Sequence, residues 1–108
     1  MLNKCCQKNS KKQRELQSVK NDFDILNDVN RLRILCLLKE HKEICVCEIY
    51  EALNLPQNLV SYHLGKLKEA RFVTSRKEGV NVIYQSGEKK IAKFFDLIKL
   101  TLIKKINL

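Results

Sequence analysis

A mainly α-helical chain with one small β-hairpin, in the order ααααββα, is the fold this 108-residue sequence predicts. Three observations predict it. The chain holds one Pro and three Gly, so breakers are scarce and helices are favoured over a loop-rich sandwich. Apolar residues recur at spacings of three and four through most of the length, which is the period of a helix. That period gives way only over residues 72–85, where β-branched and aromatic residues flank Gly79. A chain this short builds one domain with a thin core, which dimerisation would reinforce. Residues 1–10 carry no periodicity and read as a mobile arm, leaving 11–108 as a single domain.

The elements follow in order. Leu16, Val19, Phe23 and Leu26 form one stripe of a first helix over about 12–26. Asn27-Asp28 interrupts it and can cap a second helix, 29–39, whose apolar side is Val29, Leu32, Leu35, Cys36 and Leu38. His41-Lys42-Glu43 is a polar break. A short third helix runs from Ile44 to Leu53 with Ile49, Ala52 and Leu53 inward. Asn54-Leu55-Pro56 is a turn, and Pro56 suits a helix start. A fourth helix, about 57–70, turns Val60, Leu64 and Leu67 inward. Strands at 72–76 and 81–85 join through Lys77-Glu78-Gly79-Val80, where Gly79 supplies the positive φ of the turn. A last helix begins near residues 86–88, with Ser86 a plausible cap, and carries Ile91, Phe94, Phe95, Ile98 and Leu102. A short helix, a turn, a longer helix and then a hairpin make a winged helix-turn-helix.

Charge points to a polyanion. Lys and Arg number 21 against 12 Asp and Glu, for a net charge of +9. Residues 1–20 carry +5, residues 21–55 carry −3 and residues 56–108 carry +7. A basic C-terminal half behind an acidic middle fits a nucleic-acid face on one part of the fold. The longest apolar run, Ile34 to Leu38, is far below the ~18 residues of a membrane span. No apolar stretch of signal-peptide length opens the chain, so a cytoplasmic protein without a membrane partner is expected. Five Cys form no secreted disulfide framework and read as free thiols or metal ligands. No Gly-rich phosphate loop, His-Glu-x-x-His or Ser elbow is present, and an enzyme is not expected.

Cys45 and Cys47 carry the chemistry. Two residues apart in a regular helix, their side chains diverge by about 200° and cannot share an ion. At the first turn, where the backbone is free to open, they can. A helix N-terminus favours thiolate, and soft thiolates suit As(III), Sb(III), Cd(II), Pb(II) or Zn(II). Spacing alone favours two small buried hydrophobes over a ligand pair. On the fourth helix, Gln57, Asn58, Ser61 and Tyr62 present polar groups and one ring outward, suited to base edges and phosphates. Lys66 and Lys68 reach phosphates. Arg76 and Lys77 at the hairpin tip would touch the backbone or enter the minor groove.

Asn30-Arg31-Leu32-Arg33-Ile34-Leu35 in the second helix, Ser61-Tyr62-His63-Leu64 in the fourth, and Ser75-Arg76-Lys77-Glu78-Gly79 with Tyr84 in the wing occur in fixed order around Ile44-Cys45-Val46-Cys47-Glu48-Ile49. Over about residues 23–105 the chain resembles the ArsR/SmtB family of metalloregulators. The Cys-Val-Cys segment looks like the box of its arsenic- and cadmium-type members. The resemblance implies a DNA-binding repressor that leaves its operator when thiolates bind a soft ion, with no organic cofactor. The family's arsenic box often has a further Cys three residues on, where this chain has Tyr50. Cadmium-type members recruit thiols from an N-terminal arm, which here carries Cys5 and Cys6 as candidate third ligands. Thiol-redox members pair a Cys in the second helix with one in the last. Cys36 stands in the second helix, but no Cys follows Cys47, so Cys36 reads as core. The zinc or nickel site of other members needs Asp and His on the last helix, which here has Asp96 without a His. His63 reads as a hydrogen-bonded structural residue and His41 as solvated.

The resulting expectation is a homodimer on a pseudo-palindromic double-stranded operator. Leu16, Val19, Phe23, Phe94, Phe95, Ile98 and Leu102, on the first and last helices, exceed what one thin core absorbs and are assigned to the dimer contact. Two alternatives stay open: a thiol-redox repressor with the same fold, and a winged-helix nucleic-acid or protein-interaction module with no inducer.

Overall fold

A computed structural model of the chain describes residues 10–103. Helix α1 (Lys11–Leu26) starts at Ser10, whose hydroxyl accepts from the Gln13 N–H at 3.0 Å. Helix α2 (Val29–His41) is capped by Asp28, which accepts from the N–H groups of Asn30 and Arg31. Both caps satisfy donors that a helix start leaves unpaired. Then come β1 (Glu43–Cys45), α3 (Val46–Leu53), α4 (Gln57–Glu69), β2 (Val73–Glu78), β3 (Asn81–Ser86) and α5 (Glu88–Leu102).

The expected ααααββα winged helix-turn-helix is present, with one strand more than expected. Ile44 and Cys45 belong to β1 and not to the third helix, which starts at Val46. The cause is tertiary. β1 pairs antiparallel with β3, Ile44 opposite Tyr84 and Cys45 opposite Ile83, giving a sheet of order β1-β3-β2. The wing is also longer than expected: β2 extends through Glu78, so only Gly79 and Val80 form its turn, with Gly79 at φ 62°. Ser86 ends β3, and Gly87 is the cap of α5.

Between α3 and α4 the chain turns at Asn54, which adopts the left-handed conformation (φ 52°, ψ 48°) and bonds back to the Tyr50 carbonyl. Asn tolerates that conformation better than most residues. The core joins Ile34 and Leu38 of α2, Ile44 of β1, Ile49 and Leu53 of α3, Val60, Leu64 and Leu67 of α4, and Phe72, Val73 and Phe94. The inward face of α4 is as expected. That of α2 is not. Ile34 and Leu38 are buried, whereas Val29, Leu32 and Cys36 are exposed. Ala52, expected inward, is exposed as well.

Helix α5 packs on α1, and Phe94 is the hub, with its ring edge-to-face against Phe23 and Phe72 at 5.4 and 5.7 Å. Lys90 Nζ stands 2.9 Å from the buried Asp22 carboxylate and supplies its counter-charge. Among the described residues no helix is long and apolar enough to cross a membrane.

Candidate thiolate centre and nucleic-acid interface

Cys45 is both the last residue of β1 and the cap of α3. Its extended backbone (φ −66°, ψ 143°) departs from the helix that Cys47 already follows. That break brings the two sulfurs together, 2.8 Å apart. The Glu48 carboxylate accepts from the Cys45 N–H at 3.2 Å, a capping box that fixes the turn. The hydrogen bond from the Cys47 thiol, and then the backbone N–H groups of Cys47 and Glu48, hold the Cys45 thiol below its ordinary value. Cys47 is pushed up, first by its hydrogen bond with Cys45, then by burial and by the charge of Cys45 beside it. Cys45 is therefore the readier thiolate of the pair. Asn81 of the wing accepts from Cys45 Sγ at 3.9 Å.

Among the described residues no group of three or more His, Cys, Asp or Glu is placed to hold a metal ion. Cys45 and Cys47 thus supply two donors by themselves. Cys5 and Cys6 lie outside the described residues.

On α4, Gln57, Asn58, Ser61, Tyr62 and Lys68 are exposed on one side, and Lys66 is half-buried. Ser61 is tied down. Its Oγ lies 2.9 Å from the Tyr50 hydroxyl of α3. The Tyr62 ring is flanked by two cations, Arg31 at 5.8 Å and Lys66 at 5.6 Å from its centroid. Arg31 anchors the base of α4: its Nε donates to His63 Nδ1 at 3.0 Å, and its Nη1 donates to the Ile25 carbonyl. His63 is buried, with Nε2 3.8 Å from Asp28, in the structural role expected of it. In the wing, Lys77 is exposed. Arg76 is engaged, its guanidinium gripping both carboxylate oxygens of Glu43 at 2.9–3.1 Å and also Glu78.

The assigned dimer stripe divides. Val19 and Phe94 are in the chain's own core, and Leu16 and Ile98 are half-buried. Phe23, Phe95 and Leu102 are 47%, 56% and 59% exposed. Three residues escaped the sequence reading: Arg31, Glu43 and the Asp22–Lys90 pair's buried carboxylate. Only Arg31 left a signal, as a charge inside the apolar start of α2.

A family model described as "Bacterial regulatory protein, arsR family" matches residues 28–75. An uncharacterized HTH-type transcriptional regulator of Methanocaldococcus jannaschii is 38% identical over 76 residues, 70% of this chain and 85% of that protein. The cadmium resistance transcriptional regulatory protein of Listeria innocua is 38% identical over 80 residues, 74% of this chain and 67% of that one. Among solved structures, the homodimeric winged helix-turn-helix DNA-binding domain of a possible ArsR-family regulator from Mycobacterium bovis superposes with a TM-score of 0.70. It is 27% identical, over 88% of this chain and 87% of that one.

Proposed function

The chain belongs to the ArsR family of bacterial regulatory proteins, and on that premise we propose that it is a cytoplasmic, homodimeric repressor that releases a pseudo-palindromic operator when Cys45 and Cys47 take up a soft metal or metalloid ion. The family and the matched relatives are transcriptional regulators and not enzymes, in line with the sequence reading. The observation that carries the proposal is the thiol pair, 2.8 Å apart at the open end of α3.

The donor set fits a soft ion. Two sulfurs share one exposed turn, and one of them is biased toward thiolate. Cd(II) is the first candidate, given the cadmium-resistance relative; As(III), Sb(III), Pb(II) and Zn(II) suit the same donors. Such an ion supplies strong bonds to two thiolates at once. Cys5 or Cys6 would complete a three-thiolate set. Both ligating sulfurs must be deprotonated. Uptake of the ion therefore releases the protons of both thiols, and the sulfur–sulfur hydrogen bond closing the turn is lost. Cys45 sits where β1, paired to the wing, becomes α3, so a change in its side chain reaches both. Helix α3 packs on α4, and Ile49, Leu53, Val60 and Leu64 share one core. A coupling of about 1–3 kcal/mol suffices to switch DNA affinity.

In this reading Gln57, Asn58, Ser61 and Tyr62 address the major groove, while Lys66, Lys68 and Lys77 meet phosphates. The exposed apolar side chains of α1 and α5 bury each other across the dimer.

The same sulfur contact favours a second reading, in which a peroxide oxidises the pair. The two thiols lose two hydrogens to form a disulfide, and the peroxide is reduced to water. Titration of the reduced protein with Cd(II) or arsenite, followed by thiolate-to-metal ultraviolet absorption, separates the two. The metal reading predicts a saturable band that Cys45→Ser and Cys47→Ser each remove and Cys36→Ser leaves. Absence of the band in the wild type overturns it.

A further inference from the structure

We infer that Tyr50 is a positioning residue that ties the thiolate turn to the DNA-reading face, holding the Ser61 hydroxyl in its DNA-competent orientation. The inference rests on the proposed metal response, and its test reads the two apart.

Tyr50 follows Cys47 by three residues, one turn of α3 further on. Its ring is half-buried against the core. The ring is therefore placed by α3 and the core, and its hydroxyl extends toward α4. That hydroxyl meets Ser61 Oγ at 2.9 Å. This is the sole side-chain hydrogen bond recorded between α3 and α4 among the described residues. Ser61 is exposed on the same side as Asn58 and Tyr62. A serine hydroxyl has one proton and rotates freely. A fixed partner on one side determines which way it presents its donor or lone pairs to a base edge or phosphate. Because the contact depends on where α3 carries Tyr50, any shift begun at Cys45 and Cys47 arrives at Ser61 one turn later. Loss of the Tyr50 hydroxyl should therefore imitate the released state in part.

The test is a double-mutant cycle of Tyr50→Phe and Ser61→Ala. It is read as affinity for a duplex selected by the wild-type protein from a random pool, with and without Cd(II). Tyr50→Phe keeps the ring and the core. Without metal it should weaken DNA binding by roughly two- to tenfold, the span of one hydrogen bond. It should add nothing once Ser61 is Ala. With Cd(II), the thiolate-to-metal band should match the wild type, while the metal-induced loss of DNA affinity shrinks by a similar factor. Tyr50→Phe effects that simply add to those of Ser61→Ala overturn the inference, as does an undiminished metal response in Tyr50→Phe. A wild type that shows the band but keeps its DNA overturns the metal reading instead. The metal-free cycle then still decides the Tyr50–Ser61 link.

Discussion

Arg76 enters the wing as an expected DNA contact and is found with its guanidinium divided between Glu43 and Glu78. Its side chain is exposed enough that each pair is worth little to stability, yet together they neutralise the cation that phosphates would attract. Glu43 is held below the usual carboxylate range, first by the hydrogen bond from Arg76, so at neutral pH the pairing is complete. Glu43→Gln should free part of that charge. The expected result is roughly two- to fivefold tighter DNA binding and a salt dependence steeper by up to about one ion. Unchanged affinity and slope in a filter-binding titration would place Arg76 away from the DNA. The buried and exposed sides of α4 are legible in the sequence, because a three-four stripe of Val60, Leu64 and Leu67 leaves only one side for Asn58, Ser61 and Tyr62. It could not see Arg76's partners. Glu43 is 33 positions away, and no local period links them.

At the scale of elements, β1 and α2 show where periodicity fails. A three-residue strand has no period of its own, and only pairing with β3 makes Glu43–Cys45 a strand. Helix α2 is apolar on two sides. The pattern counts apolar residues without saying which of them the chain covers, so it points to Val29, Leu32 and Cys36 along with Leu38, whereas the buried residues are Ile34 and Leu38. Caps were more legible, and Asp28 is one that can be measured. Burial works against its ionised form, but N–H donation from Arg31 and Asn30, with the nearby Arg31 charge, outweighs it and lowers the carboxyl below its ordinary value. A lowered carboxylate stabilises the fold above its unfolded value of about 3.9, and that contribution fades as pH falls through the folded value. Asp28→Ala should therefore cost about 1 kcal/mol in urea unfolding at neutral pH, and the cost should shrink near pH ~3. An equal cost at both pH values would mean that the charge on Asp28 is idle. Gly87 is a different constraint. A Cβ there would lie 2.0 Å from the Arg71 carbonyl oxygen, so Gly87→Ala must displace the junction of wing and α5.

Across the whole molecule, the first and last helices form a clasp whose inner side is sealed by Phe94, Val19 and the Asp22–Lys90 pair. Its outer side keeps Phe23, Phe95 and Leu102 exposed. Covering them with a second copy places two α4 helices for a twofold operator. Sedimentation should show a dimer at micromolar concentration, and Phe95→Glu should yield a folded monomer with weakened DNA binding. A wild-type monomer, or a Phe95→Glu dimer, would contradict that arrangement. The switch itself is read most directly by fluorescence anisotropy of a labelled operator duplex bound to the reduced protein, with Cd(II) or arsenite added stepwise and then withdrawn by a competing dithiol. Wild type and Cys36→Ser should release the duplex with a loss of affinity of about 5- to 150-fold and rebind it on withdrawal, while Cys45→Ser and Cys47→Ser bind throughout without responding. Anisotropy that stays high in the wild type while the thiolate-to-metal band is saturated would contradict the proposed function.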